Sequence, residues 1–296
     1  MRVLITGVAG FIGSRLAEAL LAHGHEVSGI DNLSTGVAAN IPSDVRFMLG
    51  DIAEAPLTGR WDVIYHCAAS YKDRDAWERD ARTNVLGTIR VIREAQRVGA
   101  KIVYFQTSLC YGPTTGLIRP GWPLNPQGSY AVSKTAGESY IRDSGVDFVS
   151  LRLANMYGPR NLSGPVPTFY KRLSEARECT IVDSRRDYVY VDDLVWLAVK
   201  AATVGHGVYH VSSGGDYSIA ELYLSVAAAM GIEVAPPVLQ ARGPDDVATL
   251  LLDSCETKSE FGWIAMTPLH EGIRKAVDWY QSHPITETYT HLAMKG

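Results

Sequence analysis

The stretch Val3-Leu-Ile-Thr-Gly-Val-Ala-Gly-Phe-Ile-Gly13 restricts the fold more than any other part of the chain. An apolar run stops at Thr6-Gly7, glycines recur at 7, 10 and 13, and a helical apolar pattern (Phe11, Ile12, Leu16, Leu20) follows. This predicts a buried strand, a tight loop and a helix start, in that order. The G-x-x-G-x-x-G spacing differs slightly from the usual dinucleotide fingerprint, but the physics is shared. Gly7 permits a sharp turn, Gly10 admits a pyrophosphate to bare backbone, and Gly13 lets the helix lie close to the strand. Free N–H groups and the helix dipole favour an anion there. A second apolar strand, 26–30, ends in Asp31, whose carboxylate is expected at the adenosine ribose hydroxyls. It would repel a 2′-phosphate, so NAD is expected rather than NADP.

Strand patterns at 2–6, 26–30, 45–49, 62–66, 101–106 and 147–151 occur with helical patterns at 11–23, 78–98 and 128–143. The rhythm predicts an α/β fold, a Rossmann-type doubly wound parallel sheet with helices on both faces. Ligands of such sheets bind beyond the carboxyl ends of the strands. Candidate contacts there are Asp51 and Ile52 for an adenine, Ala68 and Ala69 where a ring can lie against backbone, and Thr107. Beyond residue 158 the rhythm breaks at Gly158-Pro159-Arg160 and Gly164-Pro165-Val166-Pro167. Helical patterns continue near 168–177, 192–203, 218–230 and 269–282. The expected division is a Rossmann domain, 1–158, with a segment near 188–212 returning to it, and a smaller, discontinuous C-terminal substrate lobe, 159–296. The stretch after Ser282 has no strong pattern and its role is open.

A net charge of −4 with 20% charged residues carries no basic bias toward nucleic acid. No apolar run approaches a membrane span, and the first residues enter a core strand, so neither a membrane partner nor a signal peptide is expected. The cysteines (67, 110, 179, 255) are scattered without metal-ligand spacing, which predicts no metal site and a reduced, cytoplasmic protein.

Tyr130 and Lys134 lie four apart in a predicted helix, so they share a face. A phenol titrates near 10. An adjacent ammonium and a positive nicotinamide ring would lower that value, making the pair a general base for a carbinol proton as hydride leaves. Thr107 offers a hydroxyl to the same substrate oxygen.

With these residues in place, the chain resembles the extended short-chain dehydrogenase/reductases, specifically the nucleotide-sugar epimerases and dehydratases. Thr6-Gly-Val-Ala-Gly-Phe-Ile-Gly13 matches TGxxGFIG, and Asp31-Asn-Leu-Ser-Thr-Gly36 resembles the NAD-ribose stretch. Gly50-Asp-Ile52, His66-Cys-Ala-Ala69, Asn84-Val-Leu-Gly-Thr88 and Gln106–Gly112 resemble further family segments. So do Leu151–Asn155 with Tyr157–Arg160, and Arg186–Asp193. Ala69–Asp73 and Gln106–Gly112 are most similar to bacterial surface-polysaccharide (O-antigen) sugar epimerases.

The resemblance implies Thr107, Tyr130 and Lys134 as catalytic residues. It implies Phe11, Ile12, Asn32, Ser34, Gly36 and Asn84 beside the glycines, Asp31, Asp51, Ile52, Ala68 and Ala69 at NAD. It implies Asn155, Arg186, Arg242 and Asp245 at a nucleotide-diphosphate sugar. Arg242-Gly-Pro-Asp245 departs from the family's R-x-G-D, and the lead-in to Arg186 is compressed to Val182-Asp-Ser-Arg185. Lys72 either meets a carboxylate or hydroxyl of the sugar or is a solvated loop residue. The family also implies a homodimer through the helices at 78–98 and 128–143.

Family dehydratases and decarboxylases carry Glu two residues after the catalytic Ser/Thr, and C3/C5 epimerases carry Cys. Here Leu109 stands at that position and cannot move a proton. Cys110 is expected to face the core, because neighbouring side chains at a strand end face opposite ways. The expectation is 4-epimerisation through a transient 4-keto sugar. The alternatives are a 4,6-dehydratase, a decarboxylase, a 4-ketoreductase, or a non-catalytic NAD-binding protein.

Overall fold

The computed structural model describes residues 1–71, 73, 75–114, 116–242 and 247–289. Lys72 and Asp245 lie outside the described residues. The first half runs β1 (Arg2–Thr6), α1 (Phe11–Ala22), β2 (Glu26–Asp31), β3 (Arg46–Leu49), β4 (Val63–His66), α2 (Trp77–Asp80), α3 (Thr88–Val98), β5 (Lys101–Thr107), β6 (Leu117–Ile118), α4 (Ser129–Asp143) and β7 (Phe148–Leu153). The second runs β8 (Asn155–Tyr157), α5 (Pro165–Ser174), β9 (Thr180–Val182), β10 (Arg185–Arg186), β11 (Tyr188–Tyr190), α6 (Val191–Ala201), β12 (Gly207–Val211), β13 (Tyr217–Ser218), α7 (Ile219–Met230), β14 (Val238–Gln240), β15 (Thr249–Leu252), α8 (Cys255–Phe261) and α9 (Leu269–Ser282).

Seven parallel strands form the main sheet in the order β3-β2-β1-β4-β5-β7-β12. Both faces are covered, and alternation decides which side chain goes where. Val3, Ile5, Val63, Tyr65, Val103 and Phe105 enter one apolar cluster. Leu4, Ile64, Ile102 and Tyr104, between them in sequence, enter the other. That double burial is why these strands read as continuous apolar runs. The chain reverses its direction of growth at β1, so the glycine loop after β1 and the end of β4 face each other at the crevice.

Three features depart from the sequence reading. The helix expected over 78–98 is interrupted by a π-helical stretch, Ala81–Gly87, joining α2 to α3. Pro165, read as a breaker, starts α5 at its first helical positions, where a missing N–H leaves no bond unmade. β6, a pair of residues in a loop, joins a four-stranded sheet in the order β13-β10-β15-β6. In the second half, α5, α7 and α9 pack on one another, and α9 packs on β8 and β11.

Candidate active site

The carboxyl ends of β1, β2, β4 and β5 open into a cleft of about 1290 Å³ that extends to α5 and the stretch after α9. That exceeds the space one small ligand needs. It suits two ligands side by side.

The glycine loop forms one wall. Gly7 has φ +73°, and a Cβ there would come within 2.6 Å of Ala68 N. A Cβ on Gly13 would come within 2.1 Å of Gly7 O, so α1 could not approach the strand. Gly10 is different: its nearest obstacle is at 3.3 Å, so its bareness serves what approaches from the cleft. It is also the N-cap of α1 and supplies no side-chain cap. The helix therefore presents its first N–H groups to an anion. Asp31 accepts N–H bonds from Ala9 (2.9 Å) and Leu33 (2.8 Å). Burial raises its pKa, and those bonds oppose the rise.

Behind this wall a chain of hydroxyls holds His66. Thr88 Oγ1 donates to Asn84 O (2.7 Å), so it accepts from His66 Nε2 (2.9 Å). His66 Nδ1 then accepts from Thr6 Oγ1 (2.7 Å), which in turn accepts from Ala68 N–H (3.2 Å). Burial pushes His66 down to about 3, so the ring is neutral and this tautomer is the one the bonds allow. The ends of β1 and β4 are thereby tied to α3.

The opposite side is built on α4. Tyr130 and Lys134 both line the cleft, as does Thr107 at the end of β5. Thr107 Oγ1 accepts from Leu109 N (3.2 Å), which leaves its O–H to donate. The Lys134 carbonyl accepts from Tyr104 Oη (2.9 Å) and Gln106 Nε2 (3.2 Å). Four residues on, Glu138 accepts two bonds from buried Arg152, the shorter 2.6 Å, and one from Ser150. The catalytic-helix candidate is therefore fixed to β5 and β7 from below. Lys134 Nζ sits 3.9 Å over the Tyr104 ring, and burial pushes it down to about 7.

Without the nicotinamide charge that the expectation invokes, the polypeptide does not lower the Tyr130 phenol. Burial first, then the charges of Tyr71 and Asp80, push it up rather than down. The polypeptide alone therefore holds Tyr130 as a neutral phenol. Leu109 lines the cleft, and Cys110 is fully buried. The reason is a 3-10 turn over Ser108–Tyr111 rather than strand alternation.

Gly7, Gly10, Phe11, Ile12, Gly13, Asp31, Asn32, Ser34, Asp51, Ile52, Ala68 and Ala69 all line the cleft, as do Asn155 and Arg186. Three expected contacts do not. Asn84 is buried in the π-helical stretch: its Oδ1 accepts from Ser70 N, and its Nδ2 donates to Ser70 O and Ser133 Oγ. Its amide ties a loop to α4 instead of facing a ligand. Gly36 packs on Ala9 and Asp31. Arg242 is exposed, outside the lining residues. Sequence reasoning missed Tyr71, whose ring meets Tyr130 edge-on at 6.2 Å. It lay in the quoted Ala69–Asp73 segment, but nothing local signalled that its ring would turn inward.

Among the described residues no group of three or more His, Cys, Asp or Glu could hold a metal. None of their helices is long and apolar enough to cross a membrane.

The model of the NAD-dependent epimerase/dehydratase family matches residues 3–220. The chain belongs to that family. This epimerase/dehydratase is 35% identical, over 315 aligned positions, to a UDP-glucose 4-epimerase of Mycolicibacterium smegmatis, covering 95% of this chain and 99% of that one. Two crystal structures of Bordetella bronchiseptica enzymes are similar to it. WbmH in complex with NAD⁺ is 43% identical with a TM-score of 0.91, covering 96% of this chain and 99% of that one. WbmG in complex with NAD and UDP is 40% identical with a TM-score of 0.91, covering 99% of each. The cofactor of this epimerase/dehydratase is NAD. The bare Gly10 N-terminus and the Asp31 carboxylate at the end of β2 fit its pyrophosphate and ribose.

Proposed function

We propose that the protein is an NAD-dependent 4-epimerase of UDP-sugars, with Tyr130 as its proton-transfer group. One observation carries this reading. Tyr130, Lys134 and Thr107 share a cleft with the glycine loop and Asp31, and the wall beside Thr107 carries Leu109 where an acid would be needed for chemistry beyond C4. Among the described residues the cleft-lining carboxylates are Asp31 and Asp51, at the proposed adenosine end, and Asp73, whose Oδ1 accepts from Asp75 N. The relatives named as 4-epimerases, and the UDP in one similar crystal structure, support the reaction and the nucleotide.

When bound, NAD supplies a hydride acceptor and donor at C4 and a positive ring charge that offsets the burial penalty on a Tyr130 phenolate. Tyr130 Oη takes the C4 hydroxyl proton and later returns it. Thr107 Oγ1 donates to the same oxygen and aligns it. Lys134, with its neutral-range pKa, lies one turn further along α4. Asn155, at the start of β8, and Arg186 hold the diphosphate while the 4-keto sugar turns about its link to it. Inversion follows because the two faces of the ketone are presented in succession to one fixed site.

The outward faces of α3's approach and α4 expose Leu86, Val132 and Tyr140, which supports a homodimer through these helices. Four free cysteines accord with a reducing cytoplasm, and the O-antigen resemblance with a place in surface-polysaccharide synthesis. Incubating the protein with UDP-glucose, UDP-N-acetylglucosamine and the matching uronates tests the reaction. The expected product has unchanged mass and an inverted C4 signal by NMR. Loss of water or CO₂, or stoichiometric use of reduced nicotinamide, would overturn it.

A further inference from the structure

The stretch after α9 is placed where the chemistry is. Ile285, Thr286 and Tyr289 line the same cleft as Tyr130 and Thr107. Its far end is pinned by two backbone bonds: Tyr289 N–H donates to Leu162 O (2.8 Å), and Gly164 N–H donates to Tyr289 O (2.9 Å). They form a parallel bridge at Ser163, just before α5. Its near end is held by Trp279, whose ring stacks on His283 at 4.5 Å. Its middle is held by Ile285 against the main apolar core. The segment thus leaves α9, runs along the cleft and at Tyr289 meets the loop that precedes α5. Tyr71 borders Tyr130 on this side. The Tyr289 phenol is near enough to add to the burial that raises Tyr71.

We infer that residues 283–289 form a strap that encloses the pyranose, with Tyr289 and Tyr71 as the wall next to Tyr130. The inference rests on the epimerase reading and adds the sugar's contacts to it. Two uncharged phenols suit a pyranose: rings pack on its C–H edges, and the Tyr289 oxygen, whose O–H donates to Glu287 (3.0 Å), accepts from a sugar hydroxyl. The strap also has a retaining role. A ketone formed at C4 must turn inside the cleft without leaving. Two backbone bonds are a light fastening, so the strap can open for exchange. The diphosphate is held by other residues, so the strap's effect falls on the sugar and spares the nucleotide.

The experiment uses the NAD-loaded protein, a Tyr289→Ala variant and a chain ending at His283. Calorimetric titration with UDP and with UDP-glucose separates nucleotide from sugar binding. Tyr289→Ala is expected to weaken UDP-glucose by about tenfold, the scale of a lost hydrogen bond with its packing. UDP affinity and bound NAD should change less than about twofold. During turnover both altered proteins should accumulate reduced nicotinamide absorbance. C4 loses its hydride to NAD⁺ and its hydroxyl proton to Tyr130, the ketone escapes, and NADH stays behind. Parallel weakening of UDP and UDP-glucose, or unchanged UDP-glucose binding in both altered proteins, would overturn the strap. If the shortened chain fails to fold, the point variant decides. Wild-type protein that binds UDP but binds no UDP-sugar would instead overturn the epimerase reading, and the strap with it.

Discussion

The two ends of the cleft are made of different materials. The end assigned above to adenosine is built mainly from residues 6–36, with Asp51 beside them, and works mainly through backbone: bare N–H groups at α1 and a carboxylate held by two amides. The end assigned above to the sugar gathers side chains from Tyr71, Thr107, Tyr130, Asn155, Arg186 and Tyr289, each brought by a different part of the chain. A site of backbone is set by local turn chemistry. A site of distant side chains is set by how helices are fixed to the sheet. The first tolerates changes elsewhere in the chain, whereas the second depends on anchors that touch no ligand, such as Arg152 on Glu138.

The comparison breaks most visibly at Tyr130. Tyr130→Phe should lower kcat by about 10²–10⁴-fold, the usual contribution of a general acid–base group. Bound NAD, measured after denaturing release, should be unchanged. Loss of NAD together with activity would mean the two ends are not separate. Next in size is Glu138→Gln, which leaves the buried Arg152 guanidinium without its counter-charge. Denaturant titration should show a loss of about 3–5 kcal/mol, and turnover should fall while NAD affinity at pH 7 is retained in the folded fraction. Asp31→Ala should weaken NAD by about tenfold, from lost charged hydrogen bonds worth about 1.5–3 kcal/mol less what water recovers. With NAD saturating, kcat should return to near the wild-type value.

The smallest effect is in pH. Burial holds Lys134 at about 7 in the folded protein against an ordinary value of 10.5. Between those values the unfolded chain binds more protons, so stability contributed by this group rises with pH across that window. Cofactor-free wild type should gain melting temperature from pH 7 to 9 relative to Lys134→Met. An equal slope in both proteins would place the ammonium in a more solvated setting than the Tyr104 ring provides.

The same contrast explains what could be read from residues alone. The sheet's strands carry their own signal, because burial on both faces leaves no charged residue in runs such as Val3–Ile5 and Ile102–Phe105. The Tyr130–Lys134 pair was legible through helical spacing. Asn84 was legible as an important position, but not as one facing inward to Ser70 and Ser133, because a widened helical turn leaves no periodic trace. Tyr289 was illegible: its placement follows from a backbone bridge to Leu162 and Gly164, and no local pattern encodes a bridge over that separation. The burial that raises the Tyr130 phenol in the polypeptide alone was illegible for a related reason. Spacing indicates which residues are neighbours and says nothing of how dry the site is.

The widened turn at Ala81–Gly87 has a consequence for inheritance. Removing one residue from it would restore regular helix and turn the upstream part by about 100° relative to the downstream part. Asn84 could then keep its grip on Ser70, or Thr88 its grip on His66, but not both. The length of this segment is therefore as constrained as the Asn84 and Thr88 side chains it positions. Single-residue gaps should therefore be rare between Trp77 and Val98, even where neighbouring loops vary freely.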